Sequence, residues 1–106
     1  MDEPARRWVR ACPASALAPR GVKRLELEGA PVLLLEAEGR YFACADRCPH
    51  LGVSLEKGEV AQGAIRCGAH GYRMDLATGE CRTEKGLRLP VFPVELRDGW
   101  LWLAVG

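Results

Sequence analysis

The placement of cysteine and histidine constrains this chain most. Cys48-Pro49-His50 is followed by Cys67-Gly68-Ala69-His70, with sixteen residues between His50 and Cys67, and both histidines of the chain fall in this pattern. Cys48 and His50 are two apart and do not share a helix face, whereas on loops both side chains can turn inward to one metal. A fold for this sequence must therefore bring two distant loops together. Two cysteines and two histidines are also a zinc donor set, although a C-x-H half is short for a zinc finger. A Cys–His nucleophile is a further alternative, but no orienting acid or amide is apparent and two such pairs would be redundant.

Around these segments the chain reads as short strands separated by glycine turns. Strands are expected at Arg7 to Ala11, Gly21 to Glu28, Pro31 to Glu38 and Arg40 to Cys44, with turns at Glu28-Gly29-Ala30-Pro31 and Glu38-Gly39-Arg40. Val91 to Arg97 and Trp100 to Val105 flank Asp98-Gly99, a tight-hairpin signal. Sustained 3.6-residue periodicity is absent, and Ala14 to Ala18 allows at most one helical turn before Pro19. The class expected is all-β, a sandwich or barrel. The candidate ligands lie in a more polar, glycine-richer window. The 106 residues thus read as a single domain, with a base from about 1–44 and 91–106 and an inserted ligand-bearing part at about 45–90.

A net charge of +1, with acids and bases interspersed, offers no long basic run for nucleic acid and no acidic tail. Met1 to Arg10 carries two acids, a proline and three arginines, which is not a signal-peptide pattern. The longest apolar stretch, Pro31 to Leu35, is too short to span a bilayer. A cytoplasmic, monomeric protein binding neither nucleic acid nor membrane is expected. In such a compartment, five cysteines argue for metal or redox chemistry before a disulfide framework.

The motif C-x-H…C-x-x-H resembles that of the Rieske iron–sulfur family. The likeness extends through Leu51-Gly52-Val53-Ser54-Leu55 before Lys57-Gly58, Ile65-Arg66 ahead of Cys67, and His70-Gly71-Tyr72-Arg73-Met74-Asp75 with Thr78-Gly79-Glu80. It covers roughly residues 7 to 105. The resemblance implies one [2Fe–2S] cluster, with Cys48 and Cys67 on one iron and His50 and His70 on the other. It also implies an antiparallel base domain with an inserted two-loop cluster-binding part. Gly52 and Gly71 would let the backbone approach the cluster. A proline loop over the cluster, a family feature, would fall at Pro90 to Pro93.

Neighbouring positions indicate the subtype. High-potential members of the family place disulfide-forming cysteines where Val53 and Ala69 stand here, and a serine and a tyrosine where Tyr72 and Met74 stand. This chain has neither cysteine, and Met74 has no hydroxyl to donate. Fewer hydrogen bonds to the cluster imply a potential near the lower end of the Rieske range, roughly −150 mV. Cys12, Cys44 and Cys81 are left over; Cys44 reads as a small apolar side chain on a strand. Trp100 and Trp102 share one strand face, and they and Trp8 read as core or edge packing.

By this resemblance the chain is not an enzyme but a soluble ferredoxin. It would pass single electrons from an NAD(P)H-dependent flavoprotein reductase to a terminal oxygenase. It lacks a G-x-G-x-x-G fingerprint, and both histidines are spent on the cluster. The alternative is a small Rieske subunit of a larger oxidoreductase such as assimilatory nitrite reductase.

Overall fold

A computed structural model describes residues 7–49, 52–67 and 71–105. Its strands are β1 (Arg7–Pro13), β2 (Val22–Leu27), β3 (Ala30–Ala37), β4 (Arg40–Ala45), β5 (Glu59–Ala61), β6 (Ala64–Arg66), β7 (Arg73–Asp75), β8 (Val91–Phe92), β9 (Val94–Arg97) and β10 (Trp100–Val105). A single 3₁₀ turn, Ala14–Leu17, follows β1. Every strand pairing is antiparallel, in three sheets ordered β1-β10-β9, β2-β3-β4-β8 and β5-β6-β7.

Four two-residue hairpins set the registers. In Glu28-Gly29, Glu38-Gly39, Gln62-Gly63 and Asp98-Gly99 both residues have positive φ, the primed turn whose twist matches the flanking strands. Gln62-Gly63 escaped the sequence reading because the strands it joins, β5 and β6, are three residues each, too short to show alternation.

Strand β3 lies between two cores. Leu33 and Leu35 enter one with Cys44, Cys48, Leu55, Ile65, Cys67 and Met74. Val32 and Leu34 enter the other with Cys12, Leu17, Leu101 and Leu103. Burial on both faces explains the unbroken apolar run from Pro31 to Leu35, which a one-sided strand would have alternated with polar residues. The layers therefore run from the outer sheet β1-β10-β9, through the central sheet, to β5-β6-β7 and the cysteine loops.

Two expectations are modified. Val91 to Arg97 is not one strand: it breaks at Pro93, which has no N–H to donate to a ladder. Strand β8 pairs with β4 and β9 with β10, so the chain changes sheets there, and the Pro93 carbonyl accepts from the Ala104 amide at 3.1 Å. The tryptophans sit in neither core; Leu101 and Leu103 fill the interior instead. Trp8, Trp100 and Trp102 are half-buried on the outer sheet. Arg10 stacks over Trp100 at 4.5 Å, and Arg97 over Trp8 and Trp102 at 5.0 Å each, which shields the ring faces through cation–π contact.

Candidate metal centre

The two cysteine segments are built alike. Cys48 N–H donates to the Val53 carbonyl and Gly52 N–H to the Cys48 carbonyl, both at 2.7 Å. In the second loop Cys67 N–H donates to the Tyr72 carbonyl and Gly71 N–H to the Cys67 carbonyl, again both at 2.7 Å. Each loop is thus closed by bonds from positions i to i+5 and i+4 to i. Each closure needs a left-handed residue at i+4, supplied by Gly52 and Gly71, both at φ 75°.

An arginine precedes each cysteine and lies over the glycine of its own loop. A Cβ at Gly52 would stand 3.3 Å from Arg47 Nε, and one at Gly71 would stand 3.6 Å from Arg66 Nε. Gly52→Ala or Gly71→Ala should each cost about 1–2 kcal/mol through the left-handed backbone, and Gly52→Ala should cost more because Arg47 must shift. Chemical denaturation of the two variants measures both costs.

Cys48 and Cys67 are each 1% exposed and belong to one core. Neither thiol is in a disulfide. Two free, buried thiols on matched loops fit the thiolate half of a mixed iron–sulfur ligand set. The other two predicted ligands, His50 and His70, lie outside the described residues. Among the described residues no group of three or more metal-ligating side chains is assembled.

Asp46, two residues before Cys48, anchors the first loop. Its carboxylate is buried and accepts from Arg24 Nε at 2.6 Å, from Ser54 Oγ at 2.8 and 2.9 Å, and from the Leu55 amide at 2.7 Å. The loop is thereby tied to β2 and closed on its own far side. Asp46 escaped the sequence reading, because nothing in spacing joins Arg24 to an acid twenty-two residues on.

In the second loop the Tyr72 phenol is hydrogen-bonded to Glu84. Partial burial, that bond and the nearby Glu84 carboxylate hold its pKa above the ordinary value. The Tyr72 carbonyl closes the second loop. Met74 is fully buried. Pro90 lines a cleft with Cys48 and Gly52.

The remaining cysteines separate by burial. Cys44 is fully buried on β4, and burial, reinforced by Asp46, pushes its thiol up to about 12. It stays protonated and serves as core, as its strand position suggested. Burial also raises Cys12, in the other core. Cys81 is half-buried beside Met74, its sulfur 3.3 Å from Thr83 Oγ1 and 3.2 Å from the Glu84 amide.

Comparison with known proteins agrees with this construction. Residues 7–93 match the family model described as Rieske [2Fe-2S] domain. Ferredoxin CarAc of Metapseudomonas resinovorans is 29% identical, the match covering 92% of each chain. A solved complex of reduced oxygenase and oxidised ferredoxin in carbazole 1,9a-dioxygenase matches with TM-score 0.80 at 29% identity, over 92% of each chain. A putative NADH-dependent nitrite reductase small subunit from Mycobacterium tuberculosis has a TM-score of 0.88 over 97% of this chain and 98% of its own. Its identity is 21%, so that likeness is one of fold. The chain spans only 27–30% of longer oxygenase relatives that it matches at 33% identity.

Proposed function

Since this chain belongs to the Rieske [2Fe–2S] domain family and carries one such cluster, we propose that it is a one-electron carrier whose cluster is held by Cys48, His50, Cys67 and His70. The supporting observation is the matched pair of loops, each presenting one buried free cysteine from the same closed turn. Each loop would contribute one thiolate and one imidazole, so metal binding would also tie the loops together. The bound group supplies reversible uptake of one electron. The chain's part is to hold its ligands rigidly and keep water from the thiolates. Asp46 fixes the first loop, Tyr72 with Glu84 borders the second, and the glycines permit both closures. Residues 45–90 act as the cluster-binding part and the remainder as its base.

We assign the donor to an NAD(P)H-dependent flavoprotein reductase and the acceptor to a terminal oxygenase. Two comparisons support the oxygenase as acceptor: the relative named a ferredoxin, of nearly equal length, and the ferredoxin–oxygenase complex; the reductase as donor follows from the family resemblance alone. Among the described residues no helix is long and apolar enough to cross a membrane.

Electron paramagnetic resonance of the dithionite-reduced protein tests the assignment of the ligands. A rhombic signal with the low average g of mixed Cys/His ligation is expected. A colourless, zinc-containing protein overturns it. Co-purification with a haem or flavin subunit would overturn the free-carrier reading while leaving the cluster in place.

A further inference from the structure

The cluster-bearing end of the molecule carries more cations than it neutralises. Arg47 and Arg66 lie along the two cysteine loops, as described above. Arg88 shares with Arg47 a cleft of about 450 Å³ floored by Cys48, Gly52 and Pro90. Arg73 stands directly opposite Arg66 across the β6–β7 ladder, a like-charge pairing that costs stability.

The carboxylates at this end do not cancel the arginines. Arg66 meets Glu59 at 3.4 Å and Arg88 meets Glu80 at 3.1 Å, with every one of these side chains at least half exposed. Pairs so exposed contribute little and exchange readily for another anion. Glu84 is engaged by Tyr72. Arg47 has no carboxylate partner among the described residues. Val53, 42% exposed on the first loop, adds an apolar contact within this charged rim.

We infer that the cysteine loops form a docking face for a protein that presents carboxylates around its own electron-entry or electron-exit site. The inference rests on the cluster reading above and adds the chemistry of the partner. Opposite charge would steer encounter and orient the partner over the loops, while the exposed, solvated pairs let it leave. That combination suits a carrier which must bind and release at each electron.

The test uses small redox probes of opposite charge on the loaded protein. The dithionite-reduced cluster gives one electron to hexacyanoferrate(III), forming hexacyanoferrate(II), or to hexaammineruthenium(III), forming hexaammineruthenium(II); no atom or proton moves. Stopped-flow rates are followed from about 0.01 M to about 0.15 M salt, which shortens the screening length from about 30 Å to about 8 Å. The anionic probe should slow several-fold as salt rises, and the cationic probe should speed up. In R47Q/R66Q both dependences should flatten, and R47K/R66K should restore them. Redox-inert hexacyanocobaltate(III) should slow hexacyanoferrate(III) in the wild type but not in R47Q/R66Q. R10Q/R97Q removes the same charge from the outer sheet and should change neither slope. Equal slopes in wild type and R47Q/R66Q, or an equal effect of R10Q/R97Q, overturn the docking face. Loss of the mixed-ligand resonance signal in the wild type would instead overturn the cluster reading, and this inference with it.

Discussion

Asp46→Ala should destabilise the protein by about 3 kcal/mol, because truncating one partner of a buried ion pair typically costs about 3–5 kcal/mol. The lower end applies here because Arg24 keeps 38% of its side chain exposed and can be rehydrated. The larger share of the loss falls on the Leu55 amide, which is buried and would have no acceptor; such an orphan costs about 1–3 kcal/mol. Ser54→Ala leaves the carboxylate with Arg24 and Leu55, and should cost only about 1 kcal/mol. Asp46→Asn should fall between the two, since it keeps an acceptor and loses the charge. Denaturant titration of the three variants gives the order, and iron per protein shows whether the first loop still holds metal. A cost for Asp46→Ala no greater than for Ser54→Ala would show that the carboxylate does not anchor the loop.

His50→Cys and His70→Cys should each lower the reduction potential sharply. A third thiolate in place of one imidazole moves the cluster from the Rieske range, here near roughly −150 mV, toward the roughly −400 mV of all-cysteine ferredoxin clusters. The cause is charge: each imidazole is neutral, and a thiolate in its place disfavours the added electron. Protein-film voltammetry measures the shift, and the resonance signal should move toward that of all-thiolate ligation. Cys44→Ala provides the contrast. A protonated core thiol on β4 is expected to be silent in both measurements, at a cost of stability alone. Unchanged potentials in both histidine variants would remove them from the ligand set.

The sequence was most informative where a rule is local. The Asp98-Gly99, Glu28-Gly29 and Glu38-Gly39 hairpins follow from which residues tolerate a left-handed backbone. The Cys48 and Cys67 segments were visible because ligand chemistry restricts both residue type and spacing. What stayed hidden depends on long-range pairing. Whether Trp100 or Leu101 faces inward cannot be read from a strand in which both alternating sets are apolar, and the register of β10 between β1 and β9 decides it. The break at Pro93 could be suspected from a missing donor, but the change of sheet depends on where Ala43 and Ala104 lie in space. The part played by Asp46 likewise exists only once β2 has been brought beside the first loop.

The pairing of β1 with β10 places Arg7 opposite Val105. The two ends of the described chain therefore leave the fold side by side, on the outer sheet, with the central sheet between them and the cysteine loops. A unit with adjacent ends can be spliced into, or appended to, another polypeptide without rearranging its interior. The same geometry leaves the redox end free to face outward whatever is attached behind it, so one architecture suits both a stand-alone shuttle and a module within a longer enzyme.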